Sequence, residues 1–170
     1  SIFLEKDINE ICDLLSKTFK ELEGKSIFLA GTGGFLGRYF LKTIAHYNSS
    51  CKNKISITGV DNVINADLLD DEIYADEKIK LIQGDICDDK LLDDIGFHDY
   101  IVHAAGIASP FYYKSKPLET LNVAVDGSRI LLDLARKMSA RYTFFSSSAI
   151  YGDPHPDFVP IQDSYRGNVA

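Results

Sequence analysis

Cysteine is scarce in this chain of 170 residues, which holds only Cys12, Cys51 and Cys87. They lie far apart and form no Cys-x-x-Cys pair. Neither a zinc site nor a disulfide framework is indicated, and a reducing compartment is the default. Positive charge is also in deficit. Lys and Arg number 18 against 25 Asp and Glu, a net charge of −7 at pH 7. That balance argues against a general binder of nucleic acid or of anionic membranes, although a local patch could still hold a small anion. No apolar run reaches membrane-spanning length. The N-terminus carries acidic residues where a signal peptide would be basic and then apolar. A cytoplasmic protein follows as the default. What remains is ordinary for a soluble globular domain, 45% hydrophobic and 25% charged, enough for one domain with a real core but not for two.

The chain is organised around Ser26 to Gly37, which reads Ser-Ile-Phe-Leu-Ala-Gly-Thr-Gly-Gly-Phe-Leu-Gly. Ile27, Phe28, Leu29 and Ala30 suit a strand buried on both faces. Gly31, Gly34 and Gly37 follow at a three-residue spacing. Gly31 allows the tight strand-to-helix turn, Gly34 lets a diphosphate approach the backbone, and Gly37 lets the helix pack close to the strand. The helix N-terminus then offers unpaired N–H groups and a partial positive charge, worth roughly 0.3–1 kcal/mol for an exposed anion. The pattern predicts a dinucleotide site, with Gly33, Phe35 and Leu36 completing the turn. The spacing is Gly-x-x-Gly-x-x-Gly, not the plain Gly-x-Gly-x-x-Gly fingerprint.

Before this motif, Leu4, Ile8, Ile11, Leu15, Phe19 and Leu22 fall on one helical face, which predicts a single helix over residues 4–22, with Gly24 just past its end. A second strand spans Ile55 to Val60 and is followed by Asp61 and Asn62. An acid at this point hydrogen-bonds the adenosine ribose and repels a 2′-phosphate, which favours NAD over NADP; a solvated turn aspartate would look the same. Residues 62–77 predict a loop with a short helix. A third strand, Ile79 to Gln83, leads into Gly84-Asp85-Ile86, with Asp85 where an adenine contact would fall. Asp88 to Ile95 reads as a short acidic helix. A fourth strand, Tyr100 to His103, ends in Ala104-Ala105-Gly106, small residues that leave room for a cofactor at the binding edge of such a sheet. His103 reads as packed or hydrogen-bonded, with no proton chemistry assigned. Residues 107–117 predict a loop. A long helix from about Leu118 to Met138 follows, its buried side drawn from Leu121, Val125, Ile130, Leu131, Leu134 and Met138. A fifth strand covers Tyr142 to Ser146, and the Pro154, Pro156 and Pro160 tail reads as irregular. This alternation predicts an α/β, doubly wound, Rossmann-type parallel sheet of about five strands, in the order 3-2-1-4-5, with an N-terminal helix.

Taken together, Gly31/Gly34/Gly37, Asp61-Asn62, Gly84-Asp85-Ile86, His103-Ala104-Ala105-Gly106 and Ser146 to Gly152 resemble the extended short-chain dehydrogenase/reductase family, in particular its nucleotide-sugar epimerases, dehydratases and decarboxylases. The resemblance covers residues 25–170. Ala108-Ser109-Pro110 with Tyr113 and Pro117, and Tyr151-Gly152-Asp153-Pro154, look most like UDP-glucuronate decarboxylases, where this loop borders the sugar. The resemblance implies a bound NAD that oxidises the sugar at C4, after which the keto intermediate is epimerised, dehydrated or decarboxylated and hydride returns. It implies cofactor contacts at Gly31, Gly33, Gly34, Phe35, Leu36, Gly37, Asp61, Asn62, Asp85, Ile86, Ala104, Ala105 and Gly106. It implies substrate contacts at Ser109, Pro110, Tyr113 and Ser148, and a catalytic Ser147 that positions a sugar hydroxyl. It implies a UDP-sugar substrate, no metal and a homodimer of the full-length protein. Residues 1–24 then form an N-terminal amphipathic helix and 25–170 an NAD(P)-binding Rossmann domain that stops short of the substrate part.

Three departures stand against the family pattern. Ala149 occupies the place of a glutamate carried by decarboxylases and dehydratases, and Ser148 that of a dehydratase aspartate, which is closer to the 4-epimerases. Ala124 stands where an asparagine commonly precedes the helix glycine, Gly127. The family's Tyr-x-x-x-Lys base does not follow the serine strand: Tyr165 is paired with Val169, and Tyr112 with Lys116 lies before that strand. The sequence therefore predicts a cofactor-binding half that is inactive by itself. The alternatives are a non-catalytic dinucleotide-binding module and an inactive fragment.

Overall fold

The computed structural model describes residues 3–65, 67, 69–93 and 95–168. Two helices open it, α1 (Glu5–Leu14) and α2 (Ser16–Leu22). The single helix predicted over 4–22 is broken at Leu15, whose backbone (φ −100°, ψ 13°) leaves the helical region. Ile8 of α1 and Phe19 of α2 are both buried in one core, while Leu4 and Leu15 remain exposed. Gly24 adopts φ 73° just past the helix end, but its N–H donates across to the Asn53 carbonyl.

The body then runs β1 (Ser26–Ala30), α3 (Phe35–Ser50), β2 (Ser56–Asp61), α4 (Asp71–Ala75), β3 (Ile79–Gln83), α5 (Asp89–Asp93), β4 (Tyr100–His103), α6 (Pro110–Ser115), α7 (Pro117–Met138) and β5 (Arg141–Phe144). The five strands form one sheet in the order β3-β2-β1-β4-β5, parallel throughout, as predicted. Strand alternation divides the core in two. Ile27 and Leu29 of β1, Ile57 of β2 and Val102 of β4 pack with Ile8, Phe19, Leu41, Ile44 and Ile73 from α1 to α4. Phe28 and Ala30, Val60 and Ile101 face the other way, onto Leu92, Leu131 and Ala135 from α5 and α7. Over the inner strands each face thus has its own helical cover, as a parallel sheet requires, whereas the edge strand β5 is largely exposed.

Three further expectations are corrected. The fifth strand begins one residue early and ends at Phe144, so the serines lie beyond it. The loop predicted at 107–117 contains the short helix α6, with Pro110 in its first turn, where a missing N–H costs nothing. In α7, Leu121 and Val125 point outward, 57% and 56% exposed. The fully buried residues are Gly127, Leu131 and Ala135, and the expected Ile130, Leu134 and Met138 are partly buried against the same core. A Cβ at Gly127 would come within 2.8 Å of Ile86 Cδ1, so α7 runs close to Ile86 at this point. Leu118, Leu121, Val125 and Leu132 are left as an outward apolar set.

A buried polar clamp closes the sheet's far side. Asn48 Nδ2 donates to the Ile55 carbonyl (2.9 Å) and to Asp76 Oδ2 (2.7 Å), and the Ile55 N–H donates to Asn48 Oδ1 (2.9 Å). No helix among the described residues is long and apolar enough to cross a membrane, and those residues hold no cluster suited to a metal ion.

Candidate functional site

Because all five strands run parallel, the turns that leave their C-terminal ends collect along one edge of the sheet. The first is the glycine turn. Gly31 has φ 97°, and its N–H donates to the Val60 carbonyl at 2.8 Å. A Cβ there would meet the Ala104 carbonyl at 2.5 Å, and one at Gly37 would meet the Gly31 oxygen at 2.1 Å. Both glycines are therefore demanded by backbone approaching backbone. Gly34 differs, since its Cβ would find only the Gly31 oxygen, at an ordinary 3.5 Å. Among the described residues nothing crowds that glycine, so the space beside it is open.

Gly34 also caps α3, and no side chain completes the cap. The first turn of α3 carries no acid. The N–H groups of Phe35, Leu36 and Gly37 have no acceptor among the described residues. An uncapped N-terminus with free donors is suited to an anion. Asp61, the last residue of β2, reaches back to this turn. Its Oδ2 accepts from the Gly33 N–H at 2.8 Å and its Oδ1 from the Val63 N–H at 3.0 Å. Each oxygen keeps a second lone pair, enough to accept a hydroxyl. Asn62 beside it is exposed, and its carbonyl accepts from Gln83 Nε2 at 3.3 Å.

Further along the edge, exposed Asp85 accepts from the Cys87 N–H at 2.9 Å through Oδ1. Burial, reinforced by the Asp85 charge, pushes the Cys87 thiol up to about 11. Ile86 is buried in the second core cluster, against Gly127, so only its backbone can face the crevice. Ala104 and Ala105 are half-buried, and Gly106 has no neighbour within 4 Å of a built Cβ. His103 is fully buried, and neither ring nitrogen makes a hydrogen bond among the described residues. Burial pushes its pKa below the ordinary value, with the Val123 backbone opposing. Its ring meets Phe144 edge-on at 5.3 Å.

Beyond β5 the serines are exposed, and Ser147 precedes a 3-10 turn over Ser148–Tyr151. Its Oγ accepts from the Ala149 N–H at 3.2 Å, leaving the hydroxyl proton for another partner. Ser109, Pro110 and Tyr113 are exposed at and along α6.

The family described as NAD dependent epimerase/dehydratase matches residues 27–168. The chain belongs to that family. UDP-glucuronic acid decarboxylase 1 of Arabidopsis thaliana is 31% identical over 147 residues, which make up 84% of this chain and 30% of that protein. Among solved structures, the epimerase Mth375 of Methanothermobacter thermautotrophicus superposes with a TM-score of 0.73 at 21% identity, over 91% of this chain and 44% of that one. The UDP-N-acetylglucosamine 4-epimerase of Methanobrevibacter ruminantium, solved with UDP-N-acetylmuramic acid, gives 0.64 at 25% identity, over 85% and 44%. This chain thus spans about 30–44% of the length of these relatives.

Within the family's fold the departures have definite places. Ala149 lies inside the 3-10 turn beside Ser147, and exposed Ala124 lies on α7. Val169, the residue paired with Tyr165, is outside the described residues.

One part of the turn escaped sequence reasoning. Thr32 is buried, and its hydroxyl has no partner among the described residues. Its methyl fills the space that a side chain at Gly59 would need, 2.5 Å from a built Cβ. The signal was a glycine inside an apolar strand, which marks close approach.

Proposed function

We propose that this chain is the cofactor-holding part of an NAD-dependent enzyme acting on a nucleotide sugar, by transient oxidation at the sugar's C4 followed by epimerisation, dehydration or decarboxylation. One observation carries the reading: the open glycine turn, the Asp61 carboxylate, the small residues after β4 and Ser147 share one sheet edge. The family match and the names of the relatives support it.

The residues fit a dinucleotide. The free N–H groups at the start of α3 and the open face of Gly34 suit its diphosphate. Asp61 has lone pairs for the adenosine ribose hydroxyls, and its charge opposes a 2′-phosphate. Asp85 and the Ile86 backbone suit the adenine, and Ala104, Ala105 and Gly106 leave room for the second nucleotide. Bound NAD would supply the hydride chemistry. Ser147, which already accepts one hydrogen bond, can donate its proton to a sugar oxygen and hold it in place. Ser109, Pro110, Tyr113 and Ser148 border the sugar in this reading. The outward apolar set on α7 supports a homodimer, and the three free cysteines support a reducing, cytoplasmic setting.

Calorimetric titration with NAD and NADP tests the reading. NAD should bind, and NADP at least about tenfold more weakly, the equivalent of about 1.4 kcal/mol of repulsion. Absence of NAD binding would sink it. A second reading, a dinucleotide-binding module without chemistry, is favoured by Ala149 and Ala124. In the full-length protein, the absorbance of reduced cofactor after UDP-glucuronate or UDP-galactose is added separates the two.

A further inference from the structure

The glycine turn carries one charged side chain to which no role has been given. Arg38 follows Gly37 in the first turns of α3 and is half-buried. Helical side chains lean toward the N-terminus, and Arg38 does so, its Nε donating to the Gly34 carbonyl at 3.3 Å. That carbonyl already accepts from the Arg38 backbone N–H at 3.0 Å. The longer side-chain bond is therefore surplus to the helix. It parks the guanidinium at the turn without fulfilling a structural need. Among the described residues no carboxylate pairs with it, and most of its five N–H donors remain unused.

The electrostatics of the turn call for such a group. The chain is acidic overall, and Asp61 points its carboxylate at Gly33, within the same turn. A diphosphate would add two negative charges beside it. The three free N–H groups of α3 supply only partial charge. A guanidinium is the side chain whose planar fork matches phosphate oxygens.

We propose that Arg38 is a binding residue for the diphosphate of the dinucleotide, leaving the Gly34 carbonyl to grip phosphate oxygens next to the α3 N-terminus. This rests on the dinucleotide reading above. The test uses the full chain and its Arg38→Ala and Arg38→Lys variants, titrated with NAD, NADP, ADP and adenosine, with thermal unfolding run in parallel. For Arg38→Ala the dissociation constants of NAD and ADP should rise about ten- to hundredfold, the loss of a charge-assisted hydrogen bond. Adenosine affinity and the unfolding midpoint should not move, and Arg38→Lys should recover part of the loss. Unchanged NAD and ADP binding in Arg38→Ala would refute the assignment. So would an equal loss for adenosine, which would mean a structural role, or a loss confined to NADP, which would place the arginine at a 2′-phosphate. If the unaltered chain binds neither NAD nor ADP, the dinucleotide reading itself fails and the Arg38 assignment fails with it.

Discussion

Gly34 and Gly37 are three residues apart in one turn, yet the structure gives them opposite reasons for being glycine, and replacing each with alanine separates those reasons. A Cβ on Gly37 would lie 2.1 Å from the Gly31 oxygen, 2.7 Å from Thr32 Cα and 2.9 Å from the Gly31 carbonyl carbon. All three are backbone atoms, so no side chain can swing aside. Relief requires α3 to move away from β1 by more than an ångström, against the packing of Leu41, Ile44 and Ala45 in the core. Overpacking of this kind costs about 1–3 kcal/mol, which in a domain of this size lowers the melting temperature by about 2–12 °C. A Cβ on Gly34 would meet only the Gly31 oxygen at 3.5 Å, and the Gly34 backbone (φ −72°, ψ 168°) is open to any residue. Gly34→Ala should therefore change stability by no more than about 0.5–1 kcal/mol, the scale of a modest N-cap change. It should nevertheless abolish measurable NAD binding, because its methyl occupies the space left for the diphosphate. Calorimetric titration and thermal unfolding on both variants read the two effects independently. The reasoning fails if Gly34→Ala binds NAD as tightly as the parent, or if Gly37→Ala melts at the parent's temperature.

Other consequences can be checked by unfolding alone. Gly59→Ala should destabilise by about 1–3 kcal/mol through collision with the Thr32 methyl, and Thr32→Ser, which removes that methyl, should restore part of the loss in a double-mutant cycle; strict additivity would refute the contact. Asn48→Ala strips partners from the Ile55 backbone and the Asp76 carboxylate and should cost about 2–4 kcal/mol in urea unfolding; a loss below about 1 kcal/mol would mean the clamp is idle. Burial pushes the pKa of His98 below its ordinary 6.5, with the Gly96 carbonyl and Asp99 opposing. The folded state therefore keeps it neutral, hydrogen-bonded to Gly96 and Thr58, while the unfolded chain takes up a proton. Its contribution is complete above pH 6.5 and declines as the pH falls below it. His98→Gln should flatten the fall in stability between pH 7 and 5, and an unchanged slope would show that His98 is not responsible.

The sheet, its strand order and the place of the crevice could be read from local signals. An apolar run flanked by glycines at Gly31, Gly34 and Gly37, an acid ending the second strand and small residues ending the fourth are short-range patterns. They work because strand period, turn conformation and helix start each depend on a few neighbouring residues. The faces of α7 could not be read this way. Leu121 and Val125 are as apolar as Leu131 and Leu134, and only the packing of α7 on the sheet decides which of them turn inward. The kink at Leu15 was equally hidden, because α1 and α2 must each follow a different part of the core. Nor could sequence show that Asp61 reaches back to the Gly33 N–H, 28 residues away, that Thr32 fills the space beside Gly59, or that Arg38 rests on the Gly34 carbonyl. These are meetings through space, set by how surfaces fit once the sheet has formed. Local sequence patterns were enough for the five strands, their order and the edge where their C-terminal ends gather. Tertiary packing decided which side chains face one another there.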